Sequence, residues 1–287
     1  MTRPIVAGVD GSEPALRAAA WAGREAALRN APLRLLHAAP RWEHDVPLAP
    51  SPAWWRVTAH AEEEETERLL AQAAEAARAA GGEPEVTTEV AAVPAREALA
   101  SASADAQLVV VGGRGLGGIA GLLLGSVSGH LIHRAACPVV VVRGQGRWTG
   151  DVVVGVTGRP EQDPVLEFAF QEAALHGARL RAVHAWRHPA VRGPGDMQPP
   201  AHDMTEVGQE EERLLAESLT GRRARHPDVP LLQEVVHGSA AHALIQASAR
   251  AGLVVIGAHD GLRQGTALGS VAHAVTCHAQ APVAVVR

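Results

Sequence analysis

The segment Glu25-Ala-Ala-Leu-Arg-Asn-Ala-Pro-Leu33-Arg-Leu-Leu-His-Ala38 returns 147 positions later as Glu172-Ala-Ala-Leu-His-Gly-Ala-Arg-Leu180-Arg-Ala-Val-His-Ala185. Ile5-Val-Ala-Gly-Val-Asp-Gly11 matches Val152-Val-Val-Gly-Val-Thr-Gly158 at the same spacing. Pro138-Val-Val-Val-Val-Arg143 matches Pro282-Val-Ala-Val-Val-Arg287 at a spacing of 144. Self-similarity at a fixed period constrains architecture more than any single residue does. The chain therefore reads as two tandem copies, residues 1–145 and 150–287, joined by a linker over 144–150. A length of 287 residues suits two domains of ordinary size.

Within the first copy, short apolar runs alternate with longer amphipathic ones. Strands are expected at 4–9, 33–38, 85–90, 108–111 and 138–143, and helices at 13–30, 54–80, 94–103 and after Gly125. Ser12 is placed to cap the first helix, and Pro94 falls in the first turn of the third. Strands alternating with helices argue for a parallel, doubly wound α/β sheet in each copy. Residues 40–52, rich in proline and carrying Trp42, read as irregular, as do residues 193–200 of the second copy. The run Glu62–Glu65 reads as a solvated helix face.

The chemistry concentrates between residues 105 and 143. Leu108-Val-Val-Val111 empties into Gly112-Gly-Arg-Gly115-Leu-Gly-Gly-Ile-Ala-Gly121-Leu-Leu-Leu-Gly125-Ser126, which opens a short helix. Glycines at 112, 115 and 125 permit positive φ and let backbone approach a ligand. Successive N–H groups and the following helix N-terminus would hold an anion. Ser126 and Ser128 offer hydroxyl donors, and phosphate is the natural occupant. A plain glycine loop between buried elements is the alternative. A Walker loop needs a lysine, and the chain has none. Gly113, Gly115 and Gly118 satisfy G-x-G-x-x-G, but the next strand ends at Arg143 where a dinucleotide fold wants an acidic residue. Gly112, Gly115, Gly125 and Ser126 satisfy G-x2-G-x9-G-[ST].

That last pattern, followed by the Pro138–Arg143 strand, resembles the ATP-binding signature of the universal stress protein family. The tandem arrangement resembles its two-domain members over essentially the whole chain. The resemblance implies two five-stranded, Rossmann-like domains of the adenine nucleotide alpha hydrolase type. It implies ATP at the carboxyl ends of the strands, as in open α/β sheets. Asp10 matches the family's acidic residue near ribose and phosphates, with a divalent metal such as Mg2+; a turn-forming Asp is the alternative. Ala38 matches the backbone position that receives adenine. Gly112, Arg114, Gly115, Gly125, Ser126, Val127 and Ser128 match the phosphate loop. Arg114 is equally well read as a solvent-facing arginine. The family's last strands pair, which implies an intramolecular pseudo-dimer of the segments 138–143 and 282–287, or a homodimer.

The second copy departs from the pattern. Thr157 replaces Asp10, Ala272 replaces Ser128, Asp260 stands at the second motif glycine, and the loop is one residue shorter. Gly257, Gly269 and Ser270 survive as a weaker site, with Gly261 able to serve if the register shifts. Nucleotide is therefore expected mainly in the first copy. The function implied is ATP-dependent regulation of stress adaptation with little or no hydrolysis. A slow ATPase with its metal at Asp10, or a scaffold without nucleotide, are the rivals.

Charge bounds the partners. A net charge of −5 gives no general attraction to nucleic acid or anionic membrane. No apolar run is long enough to cross a bilayer, and Met1-Thr-Arg-Pro-Ile-Val6 lacks a signal-peptide hydrophobic region. A cytoplasmic protein is expected. The arginine-only, alanine-rich composition suggests a bacterial source. Cys137 and Cys277 cannot form a disulfide framework, and Cys137 reads as a small buried residue. His130 and His133 are spaced as a metal pair without evident further ligands. His37 and His184, at matching strand ends, read as structural.

Overall fold

The computed structural model describes residues 2–39, 53–113, 115, 124–144, 148, 150–187, 204–258 and 268–287, with only the backbone described at 53–60 and 204. Arg114, the glycines at 117, 118 and 121, both irregular stretches and the second-loop residues Asp260 and Gly261 lie outside the described residues. So do the side chains of Trp54 and Trp55.

The chain divides into compact units of residues 1–146 and 147–287. The first runs β1 (Ile5–Gly8), α1 (Glu13–Arg29), β2 (Leu33–Ala38), α2 (Ala53–Ala79), β3 (Val86–Ala91), α3 (Ala95–Ala102), β4 (Leu108–Gly112), α4 (Ser126–Arg134) and β5 (Val139–Val142). Its strands lie in the order β3-β2-β1-β4-β5, with every pair parallel. The second runs β6 (Asp151–Val156), a 3-10 turn at Pro160–Gln162, α5 (Asp163–Leu175), β7 (Leu180–Trp186), α6 (Met204–Arg225), β8 (Leu231–His237), α7 (Ala240–Ser248), β9 (Ala251–Gly257), α8 (Ser270–His278) and β10 (Val283–Val286). Its order, β8-β7-β6-β9-β10, is the same.

The strands at the middle of each sheet are continuous apolar runs because helices cover both faces. Ile5, Val6 and Leu108 to Val110 are fully buried, as are Val152, Val154 and Leu253 to Val255. The sheet winds outward from β1 through β2 to β3, then returns to the other side of β1 with β4. That reversal opens a crevice beyond the carboxyl ends of β1 and β4, the usual place for a ligand in such a sheet.

Turns set the helices. Ser12 caps α1 by accepting the Ala15 N–H at 3.3 Å. Gly11 and Gly158 take φ of +80° and +74° at the matching strand-to-helix turns, conformations that glycine alone adopts without strain. Helix α3 begins at Ala95, so Pro94 is its N-cap residue rather than part of its first turn.

One core position shows how the copies diverge. At Gly23, where α1 crosses α2, an added Cβ would lie 2.8 Å from both Cα and the carbonyl carbon of Ala77. The helices meet backbone to backbone there. The matching residue of α5 is Phe170, fully buried and stacked on His226 at a centroid distance of 5.5 Å. Between the two matching helices, buried Arg222 of α6 pairs with Asp163 of α5. Side chains fill the space in the second domain that close approach removes in the first.

Candidate functional site

The crevice of the first domain is a cleft of about 340 Å³, within the range of small-molecule sites. Asp10, Ala38, Gly112, Gly115, Gly125, Ser126, Val127 and Ser128 all line it. Sequence reasoning missed its apolar wall from α1 and α3, formed by Ala15, Ala95 and Leu99. The only signal for these residues was the apolar stripe of each helix, which any core-facing helix shares.

Asp10 joins the two sides of the cleft. Its Oδ1 accepts the Ser12 N–H at 3.0 Å, which closes a local turn at the end of β1. Its Oδ2 sits where a Cβ on Gly115 would have to go. Gly115 is therefore glycine for lack of space, and its φ is not positive. The same holds at Gly112, where an added Cβ would lie 2.9 Å from the carbonyl carbon and oxygen of Pro14. Gly125 has φ −69°. None of these three glycines uses the positive φ that glycine permits, and at Gly112 and Gly115 the close approach of neighbouring atoms is what excludes a Cβ.

The Gly125 N–H donates to the Gly113 carbonyl at 2.9 Å and closes the loop. Helix α4 starts at Ser126 with no side-chain cap, leaving its first-turn N–H groups facing the cleft. The two serines divide their work. Ser126 is exposed, whereas Ser128 is buried and its hydroxyl donates to the Gly112 carbonyl at 2.8 Å. Ser128 ties β4 to α4, and Ala272 cannot make the equivalent tie in the second domain.

The second cleft is smaller, about 210 Å³, with Gly257, Gly269, Val271 and Ala272 on its α8 side. Its loop closes as the first does, by a Gly269 N–H donated to Ala258 at 3.0 Å, despite the missing residue. The β6 side is different. Gln162 Oε1 accepts the Thr157 N–H at 2.7 Å and the Thr157 hydroxyl at 3.0 Å. Gln162 Nε2 donates to the Gly155 carbonyl.

His37 and His184 place Nδ1 at 2.9 and 2.8 Å from the carbonyls of Val9 and Val156. Both buttress the end of a central strand, and His184 also reaches Glu211 at 2.8 Å. Trp148, from the linker stretch, stacks on His176 at 3.4 Å.

Cys137 is half-buried rather than the fully buried residue expected. Burial pushes its thiol up to about 11, against weaker lowering from hydrogen bonds and Arg3. A pKa raised by folding gives stability that is complete below the ordinary thiol value and lost as pH rises through about 11. The first domain should therefore unfold at lower denaturant at pH 10.5 than at pH 8, and Cys137→Ala, which copies Ala281 of the other domain, should flatten that slope. Equal slopes in urea titrations would refute the assignment.

The model of the universal stress protein family matches the chain twice, over residues 1–143 and 149–287. The chain belongs to the universal stress protein family. A universal stress protein of Mycobacterium tuberculosis is 38% identical over 292 residues, spanning 99% of this chain and 96% of that protein. One from Mycolicibacterium smegmatis is 36% identical over 291 residues, with the same coverage of 99% and 96%. The crystal structure of a universal stress protein from Archaeoglobus fulgidus matches with a TM-score of 0.67 at 18% identity, over 99% of this chain and 98% of that one, and shares the fold. Among the described residues, no helix of this universal stress protein is long and apolar enough to cross a membrane.

Proposed function

We propose that this universal stress protein is an ATP-binding regulator of stress adaptation, with nucleotide held in the first domain and little or no hydrolysis. The observation that carries the reading is the asymmetry of the two clefts. The first combines a carboxylate, close-packed glycine backbone and an uncapped helix N-terminus in about 340 Å³. The second keeps the helix end but fills the strand end with Gln162. Phosphates suit the N–H groups of α4 and its dipole. Adenine suits the apolar wall beside Ala38. Asp10 supplies the hard oxygen that Mg2+ takes from protein when phosphates and water complete its shell. Regulation would follow from binding itself, through differential affinity of the nucleotide for two states of the protein.

The test is the nucleotide released by heat from protein purified without added ligand, compared with Gly125→Asp. Aspartate is a favoured N-cap residue, so this variant keeps α4 while its own carboxylate takes the anion's N–H groups. About one adenine nucleotide per chain, lost in the variant, is the expected result, since a ligand held far above its Kd co-purifies. Two per chain would show that the second cleft also works. None, even after millimolar ATP and magnesium are added, would sink the proposal. Steady ATP turnover abolished by Asp10→Ala would favour the slow ATPase instead.

A further inference from the structure

We propose that Gln162 is the specificity-determining residue that closes the second domain to nucleotide. The inference rests on the nucleotide reading of the first cleft and adds a cause for the difference between the domains. Residue 162 matches Ala15, which lines the first cleft and ends at a methyl group. A glutamine there reaches back across the turn at Gly158 to the end of β6. Its carboxamide takes three hydrogen bonds, two from Thr157 and one to Gly155, and is almost wholly buried. The side chain is thereby held by partners on both its oxygen and its nitrogen. A ligand entering this end of the cleft has to break all three bonds and displace the side chain.

The shortening of the loop does not account for the closure. The shortened loop still makes the hydrogen bond that shapes it, Gly269 to Ala258, just as Gly125 bonds Gly113. Gly257 and Gly269 still line the cleft, and Ser270 still opens α8. Helix α8, like α4, has no side-chain cap. Among the described residues, the closing hydrogen bond and the uncapped helix N-terminus of the anion-holding end are retained, and the difference lies at the strand end. There Thr157 has replaced a carboxylate, and Gln162 has taken up the space and the hydrogen bonds of the strand terminus. What remains is a chamber walled by Val165, Val183, Leu244 and Ile256, whose carboxylate, Glu161, comes from the turn before α5, while Thr157 stands at the strand end where the first domain has Asp10.

Calorimetric titration of the full chain with magnesium ATP, in two sets of variants, tests this. In the first domain, Ala15→Gln is expected to weaken binding at least tenfold with an unchanged thermal midpoint, because glutamine is favoured at the third position of a helix. In a Gly125→Asp background, which silences the first cleft, Thr157→Asp alone should bind nothing. Thr157→Asp combined with Gln162→Ala should restore one binding event. Wild-type affinity in Ala15→Gln, or a restored site with Gln162 still present, would overturn the inference while leaving the nucleotide reading intact. A wild-type chain that binds no nucleotide at all would overturn both.

Discussion

Gly23→Phe is expected to destabilise the first domain by more than about 3 kcal/mol, although it only copies the residue the second domain carries at the matching position. The Cβ alone would lie 2.8 Å from the backbone of Ala77, and the ring would have to go between two helices with no gap to receive it. Helix α2 presents Ala73, Ala74 and Ala77 to this region, all buried and all too short to yield space by changing rotamer. The strain must be relieved by separating α1 from α2, which exposes part of the wall around Trp21. The reciprocal change, Phe170→Gly, fails for the opposite reason. It empties a fully buried site, for which loss of a large aromatic costs about 3–5 kcal/mol. Differential scanning calorimetry of the full chain reads both changes, each variant shifting mainly the transition of its own domain. A Gly23→Phe protein melting within a few degrees of wild type would show that the helix crossing is not the rigid backbone contact described here.

The same pair of residues shows what the sequence could and could not disclose. The repeat made the architecture legible, because apolar strands and a 147-residue period survive wholesale exchange of core side chains. Gly23 and Phe170 align without a gap, yet nothing in either residue tells that one marks close approach and the other a filled space. That depends on the inter-helix distance, which the whole set of neighbours decides. The loop glycines were recognised for a partly wrong reason. At Gly112 and Gly115 the excluded Cβ matters, through Pro14 and Asp10, and not the sign of φ. Both requirements produce the same letter in a sequence. Ser128 was legible as polar, but its hydroxyl is committed to Gly112 through a contact sixteen residues away. Gln162 was not singled out at all. Its importance arises only when the turn at Gly158 folds it back onto Thr157, and a lone glutamine before a helix carries no such signature.

Gly115→Asp is expected to weaken magnesium ATP binding by more than a hundredfold while leaving the fold intact. Gly115 is exposed at the mouth of the cleft, so no core packing is at stake. Two separate penalties fall on the ligand. The new Cβ meets Asp10 Oδ2, so either the loop or the carboxylate must move from its place. The added carboxylate also stands beside the existing one, where unit charges about 4 Å apart repel by about 4 kcal/mol at an effective dielectric of 20. That repulsion acts equally on the incoming phosphates. Gly115→Ala imposes the first penalty without the second, so it separates sterics from charge. Raising the ionic strength should recover part of the affinity in the Asp variant and none in the Ala variant, because salt screens only the electrostatic share. Titration calorimetry at low and high salt measures both. Binding within threefold of wild type in Gly115→Asp would mean that the nucleotide does not lie against this loop, and that Asp10 and Gly115 meet only to close a turn.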